Sequence, residues 1–426
     1  MATEPTEAPL PSSKPAFLRR VQIRNYKSIA FCDVTLEPLT ILVGRNATGK
    51  SNFLDALGFL RDVVVKGVRE AVHLHGGRDT VLCRSAETPR VAIEIETIQI
   101  ESDKFFPGVS SFLIEIDLPL NDAAKLVKEH LSIYEPDGSL LIGYEVQGIN
   151  VNWKGKSTLA FMSMRNDGDR PFLDVFRMIH FAPIKELIAN YTSYNFSPGS
   201  MRSPQLPTPD SFLYSDGSNL ASVYKATLEA DPAAAKRAAR YLNAVARSVE
   251  FVGVLPAGGY EIMEFDTSGN VDDWNGPLRK ADRFSALSMS DGTLRAFAAV
   301  MAAFQTIAPY GSPSLVAIEE PETALHPAAM RALVAAFDEA TLRTQILITT
   351  HSPDLLDAEE VKPANVRVVE MVDGRTVIGL VDGASVSNVR DDLATLGELE
   401  RDRQLQPDRD DLNRQAELAG RELAPS

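Results

Sequence analysis

One octapeptide constrains this chain more than any other feature: Gly44-Arg45-Asn46-Ala47-Thr48-Gly49-Lys50-Ser51 matches G-x-x-x-x-G-K-[ST] at every fixed position. The apolar run Leu39-Thr40-Ile41-Leu42-Val43 before it reads as a buried strand, and Asn52-Phe53-Leu54-Asp55-Ala56-Leu57 after it reads as a helix. Strand, glycine loop and helix in that order form a phosphate cradle. Backbone N–H groups left unpaired at the helix start, reinforced by the helix dipole, favour an anion there. Arg45, Asn46, Ala47, Thr48 and Asn52 belong to this cradle with Gly44 and Gly49, while Lys50 is placed to reach terminal phosphates and Ser51 to meet a magnesium ion.

Three further segments bear on the same chemistry. Leu315-Val316-Ala317-Ile318 suits a central parallel strand and runs into Glu319 and Glu320 before Pro321 stops it. Ligands of open α/β sheets bind at such strand ends, so Glu319 is placed to hold the metal and Glu320 to orient or deprotonate an attacking water. A second apolar strand, Gln345-Ile346-Leu347-Ile348, closes on Thr349-Thr350-His351-Ser352 and brings His351 to a neighbouring strand end. In Leu287-Ser288-Met289-Ser290-Asp291-Gly292-Thr293-Leu294-Arg295, Ser290 has the character of an N-cap beside a glycine. Taken alone, Ser-Asp-Gly-Thr is a turn and a helix cap.

The order of these segments resembles the ATP-binding-cassette (ABC) ATPases of the RecF, SMC and OLD type, and within them the small bacterial AAA-labelled group whose signature carries Ser-Asp-Gly-Thr. The resembling residues are the phosphate loop at 44–51, the signature at 287–295, the acidic strand with Glu-Pro-Glu at 315–322, the Ala324-Leu325-His326-Pro327 turn and the switch at 349–352. The opening segment from Leu18 to Ile29 and Asp216 to Ala221 are similar as well. The resemblance implies an α/β fold, a two-lobed ABC-type P-loop NTPase head with an inserted α+β region, that binds ATP and Mg2+. It also implies a homodimer sandwiching ATP between heads, in which Ser290 and Gly292 act in trans on the phosphates of the partner. Catalysis would fall to Glu320, His351 and Lys50, and metal binding to Ser51 and Glu319.

Three departures from the family pattern stand out: Glu319 where many members have Asp, Met289 where the signature usually has Leu, and Asp291 before Gly292 where many have two glycines. An extra carboxylate beside a phosphate site is expected to turn away or pair with a base such as Arg295. Gln205 is the expectation for the glutamine that joins the lobes.

Boundaries expected from the pattern are a disordered tail at 1–15, a first lobe at 16–100, an inserted region at 101–250, a second lobe at 251–382 and a charged C-terminal tail at 383–426. No sustained heptads occupy the chain, so SMC-type arms are not expected. The acids after His351, such as Asp408, Asp410 and Asp411, lie in a polar run rather than at strand ends, so a Toprim nuclease is not expected either.

Composition narrows the partners. A net charge of −15 argues against coating DNA by bulk electrostatics. Lys236, Arg237, Arg240 and Arg247 fall at helical spacing, and a solvated helix face is their simpler meaning. Cys32 and Cys83 have neither zinc nor disulfide spacing, the longest apolar run is too short to cross a membrane, and Met1-Ala2-Thr3-Glu4-Pro5 lacks signal-peptide order. The expectation is a cytoplasmic ATPase, with no membrane partner, acting on DNA or on an effector protein in phage defence or DNA repair. The competing expectation is a nucleotide-gated scaffold that sequesters an effector with little turnover.

Overall fold

The computed structural model describes residues 17–98, 108–148, 150–155, 168–175, 179–209, 211–246, 249, 251–266, 283–307 and 312–421. The tail expected at 1–15 and the base Arg247 lie outside the described residues. In chain order the strands are β1 (Phe17–Tyr26), β2 (Ile29–Thr35), β3 (Leu39–Val43), β4 (Arg90–Ile98), β5 (Val109–Asp117), β6 (Lys125–Tyr134), β7 (Leu140–Gln147), β8 (Asn150–Gly155), β9 (Tyr191–Tyr194), β10 (Phe251–Ala257), β11 (Tyr260–Asp266), β12 (Arg283–Ser285), β13 (Leu315–Glu319), β14 (Gln345–Thr350), β15 (Val366–Val372) and β16 (Arg375–Leu380).

They build an antiparallel sheet in the order β2-β1-β4-β5-β6-β7-β8, a small sheet β10-β11-β12, and a central sheet β16-β15-β3-β14-β13-β9. In the central sheet only β16 runs antiparallel to its neighbour. Every residue of β3 and β14 is buried. That is what a parallel strand covered on both faces requires, and it explains why these strands read as unbroken apolar runs rather than as alternating ones. Leu39, Ile41, Val43, Val316, Ile318, Ile346 and Ile348 join one core with helices Leu220–Ala230, Pro232–Val245, Asp291–Phe304 and Pro327–Ala340. The alternate residues Leu42, Ala317 and Leu347 join a second core with helix Lys50–Lys66 and the antiparallel sheet. Register aligns the strand ends: Glu319 lies opposite Thr349, and Thr350 opposite Val43.

Two expectations about organisation meet a different arrangement. The antiparallel sheet crosses the boundary placed at residue 100, with Ile98 of β4 opposite Val109 of β5, and continues to β8. The charged C-terminal segment is folded onto the head as helices Gly383–Arg390, Leu396–Arg401 and Arg409–Arg421. Asp33, whose side chain is fully buried on β2, sets the place of the last of these. Arg414 reaches it at 2.7 Å, and Gln415 accepts its backbone N–H at 3.0 Å while donating to the carbonyl of Ile378 at 2.9 Å. A buried carboxylate needs cationic partners, and one of the two here, beside Arg20, comes from the far end of the chain. Burial works to raise the Asp33 pKa, but the Arg20 and Arg414 guanidiniums outweigh it and hold the carboxyl below its ordinary value.

Helix Lys50–Lys66 is anchored in a similar way. The His75 ring lies between two carboxylates of that helix, Nδ1 at 3.1 Å from Asp55 and Nε2 at 3.1 Å from Asp62. Burial lowers the His75 pKa, but the two aspartates more than compensate and raise it above the ordinary histidine value. Asp55 in turn is pulled down to about 2, burial being overcome by His75, Lys27 and Tyr26.

Candidate functional site

β3 delivers the chain to Gly44 at the end of the central sheet, where a side chain would not fit: a Cβ there would lie 2.2 Å from the Val369 carbonyl oxygen. Gly49 has φ +101°, and its Cβ would lie 1.9 Å from Thr376 Oγ1. Both glycines are therefore required by backbone approach, and Gly49 also by a conformation that side chains resist. Between them Arg45, Asn46 and Ala47 are exposed, with Ala47 left-handed at φ 64°, while Thr48 is buried and donates to the Arg45 carbonyl at 2.9 Å. Lys50 is 6% exposed and donates to the carbonyls of Gly44 at 2.6 Å and Arg45 at 2.9 Å. Burial pulls its pKa below the usual lysine value, against the opposing pull of Glu320, Glu322, Glu400 and Glu319.

A scaffold absent from the sequence expectations holds this loop. Thr376 of β16 donates to the Thr48 carbonyl at 2.8 Å and shares a 2.6 Å hydrogen bond with Ser28, and Asn52 donates to Ser28 Oγ at 2.6 Å. Among the described residues no side chain caps the helix at Gly49, which leaves its start open to an anion.

The acidic strand ends beside this cradle. The Ser51 hydroxyl donates to the Glu319 carboxylate, so a hydroxyl and a carboxylate that are far apart in sequence meet at the mouth of the loop. These hard oxygen donors fit Mg2+, which takes one or two protein oxygens and completes its octahedron with water and phosphate. Glu320 adopts φ 42°, and its N–H donates to the Thr349 carbonyl at 3.0 Å. Its carboxylate lies 3.3 Å from His351 Nδ1. β13 and β14 thus bring together the two candidate groups at their adjoining ends. A cavity of about 450 Å³ opens next to Ser51 and Glu319, walled by Asp55, Arg61, His75 and Tyr191 among others.

The signature lies elsewhere. Ser290 caps helix Asp291–Phe304 by accepting from the Thr293 N–H at 3.2 Å. Among the described residues no hydrogen bond or ion pair links Ser290 or Gly292 to residues 44–52, and this helix belongs to the core on the face of the sheet opposite helix Lys50–Lys66. A Cβ on Gly292 would lie 2.2 Å from the carbonyl of Ala324, so the helix start is packed on the turn that follows the acidic strand. Asp291 pairs with Arg202 at 2.5 Å, and Arg202 also donates to the Met289 carbonyl at 2.7 Å. Of the two expected outcomes, turning away or pairing with a base such as Arg295, Asp291 takes the second, with a base distant in sequence carried by helix Pro198–Arg202 in place of Arg295.

Gln205 is not at the phosphate loop: it is 4% exposed, accepts from the Ala221 N–H at 2.8 Å, and its backbone bridges to Glu261. His326 caps helix Pro327–Ala340, its Nδ1 accepting from Ala328 at 3.2 Å. Of the basic stripe, Arg237 is tied to Glu339 at 3.5 Å and lies over the Phe304 ring, whereas Arg240 is exposed. Sequence reasoning also missed Glu400. Helix Leu396–Arg401 docks on the segment after the switch, with Gly397 N–H donating to Asp357 at 3.0 Å and Arg401 pairing with Asp354 at 3.1 Å. That places Glu400 near enough to Lys50 to favour its charged form, and burial raises the Glu400 pKa. Nothing in a charge-rich run marks it in advance.

Comparison with known proteins follows this geometry. Residues 17–137 match a family model described as an AAA ATPase domain, and residues 204–357 match one described as an AAA domain, putative AbiEii toxin, Type IV TA system. The DNA replication and repair protein RecF of Gloeobacter violaceus is 33% identical over 123 residues, which cover 24% of this chain and 33% of that protein. The match therefore spans about a third of the length of that relative. Solved structures that align include an SMC head bound to the C-terminal winged-helix domain of ScpA (TM-score 0.49, 13% identity, 85% of this chain and 97% of that one). The SMC head domain from Thermotoga maritima also aligns (TM-score 0.42, 14% identity, 86% and 99%).

Proposed function

We propose that the chain is an ATPase of the RecF/SMC-like ABC type, with the α/β fold of a P-loop NTPase head, and that it hydrolyses ATP between two copies of the head and uses the cycle to act on DNA or on a partner effector. The observation that carries this reading is the convergence at three adjoining strand ends: Lys50 in the phosphate loop, Ser51 on Glu319, and Glu320 on His351.

In this mechanism the loop N–H groups and Lys50 hold the β- and γ-phosphates, with Arg45, Asn46, Ala47, Thr48 and Asn52 shaping the cradle. Ser51 and Glu319 hold Mg2+, which neutralises charge on the phosphates when bound. Glu320 orients the attacking water and accepts its proton, and His351 contacts the γ-phosphate. Ser290 and Gly292 of a second copy cap the nucleotide, consistent with an exposed Ser290 that makes no hydrogen bond to the loop of its own chain among the described residues. Likeness to a protein named for DNA replication and repair supports DNA as the partner, and the second matched model, described as a putative AbiEii toxin, supports a defence setting. The proposed compartment is the cytoplasm.

The test is steady-state ATP turnover with and without duplex DNA, alongside Glu320→Gln. That variant should bind ATP yet lose on the order of 10²–10⁴ in rate, and with ATP and magnesium it should double its mass in light scattering. Near-normal turnover in Glu320→Gln would sink the assignment of the base. A variant that stays monomeric with ATP bound would sink the shared site.

A further inference from the structure

Glu322 is a carboxylate with no role in the mechanism above. It is 3% exposed. One of its oxygens accepts from the Thr350 hydroxyl at 2.5 Å and lies 4.0 Å from His351 Nδ1. The other, Oε2, is buried without a hydrogen-bond partner among the described residues. Leaving a buried carboxylate oxygen unpaired is costly, so a fold that keeps one there invites the question of what it accepts from.

The charged donor that the surroundings offer faces the carboxyl on its Oε1 side. His351 Nδ1 has two carboxylates in front of it: Glu320 at 3.3 Å, on a half-exposed side chain, and Glu322 at 4.0 Å, on a buried one. Glu320 cannot hold this nitrogen and also turn to an attacking water. Glu322, by contrast, has nowhere to go. Its Thr350 partner also accepts from the Ser352 N–H at 3.0 Å, so the Glu322–Thr350 bond braces the backbone on both sides of His351. An imidazole whose Nδ1–H is held by a carboxylate presents its other nitrogen in a fixed direction, and when that nitrogen is also protonated it can donate to a phosphate oxygen.

We propose that Glu322 is a positioning residue for hydrolysis: with both ring nitrogens of His351 protonated, the Nδ1–H passes to the Glu322 carboxylate as Glu320 swings to the water, which keeps the Nε2–H directed as a donor at the terminal phosphate. No proton changes owner in this step; one hydrogen bond replaces another. The inference rests on the reading of Glu320 as the base and His351 as the phosphate contact.

The experiment compares Glu322→Gln, His351→Ala and the double variant in the full chain, measuring kcat, affinity for a non-hydrolysable ATP analogue, and melting temperature. Glu322→Gln should lower kcat about 10-fold, the scale on which a functional histidine suffers when its orienting partner is lost. Analogue affinity and melting temperature should stay at wild-type values. The double variant should be no slower than His351→Ala alone, because both changes remove one unit. Losses that multiply in the double variant, or an unchanged kcat in Glu322→Gln, overturn the proposal. Thr350→Val removes the bracing hydroxyl while leaving Glu322 in place; it should show the same dependence on His351, and it carries the test if Glu322→Gln does not fold. Should His351→Ala hydrolyse ATP at the wild-type rate, the reading of the switch itself fails and the role of Glu322 with it. Turnover that depends on His351 but ignores Glu322 defeats this proposal alone.

Discussion

Thr376→Val isolates the part of the site that touches no nucleotide. Thr376 is 1% exposed on β16, and its hydroxyl makes two hydrogen bonds, to the Thr48 carbonyl at 2.8 Å and with Ser28 at 2.6 Å. Valine keeps the branched shape and suits a strand, so the packing around Gly49 is preserved while both bonds vanish. Each bond contributes about 1 kcal/mol net, so up to about 2 kcal/mol of restraint on the loop disappears. If that restraint holds the empty loop in its phosphate-binding form, the competent population falls and the apparent Kd rises by up to about 30-fold, since about 1.4 kcal/mol corresponds to a factor of ten. Isothermal titration with a non-hydrolysable ATP analogue reads the change directly, and Thr376→Ser, which keeps the hydroxyl, should bind like the wild type. A Thr376→Val protein that is less stable to heat yet binds the analogue with unchanged affinity would show that the two bonds serve the fold and not the loop, and would refute the reasoning.

Other expectations follow from the same geometry. Glu400→Gln should tighten nucleotide binding roughly 3- to 10-fold at low salt, because it removes one carboxylate whose charge acts on Lys50, and the gain should shrink as ionic strength rises; equal affinity at low salt would remove Glu400 from the site. His75, raised above its unfolded value near 6.5, contributes stability that is fully present below pH 6.5 and fades as pH climbs through the folded value. Asp55, at about 2 in the fold, contributes stability that is present above its unfolded value near 3.9 and is lost as pH falls from there toward 2. In thermal melts His75→Gln should therefore flatten the alkaline-side decline, and a decline that persists unchanged would assign it to other groups. Mixing Ser290→Arg with Lys50→Ala protein should restore one working site per pair of heads, detectable as turnover that neither variant shows alone.

What the sequence made legible was local. The phosphate loop, the acidic strand and the switch each declare themselves within about ten residues, because a strand period, a glycine constraint and a helix start are short-range properties. The partners that make those segments a site are not short-range. Thr376 meets Thr48 across 328 positions, and Arg414 meets Asp33 across 381. No periodicity encodes such pairings, and a buried Asp on a strand looks in sequence like any other acid. For the same reason Arg202, not Arg295, is the base that pairs with Asp291, and the C-terminal run expected as a charged tail is a docked set of helices whose Glu400 lies near enough to Lys50 to act on its charge. Gln205 failed as an expectation because a side chain near turn residues cannot be told from one committed to the interior.

Gly292 adds a step that neither the motif nor its cap supplies. Its missing side chain lets the start of the signature helix rest directly on the carbonyl of Ala324, four residues beyond Glu320 on the turn that also carries Glu322. On the two-head reading, a nucleotide capped by Ser290 belongs to the partner, whereas Glu320 belongs to the nucleotide of its own chain. A rigid contact between Gly292 and Ala324 then joins the cap of one site to the base of the other within a single chain, so displacement at one strains the other. On that reading coupling of the two sites would need no added element: it would follow from a backbone contact that only glycine permits.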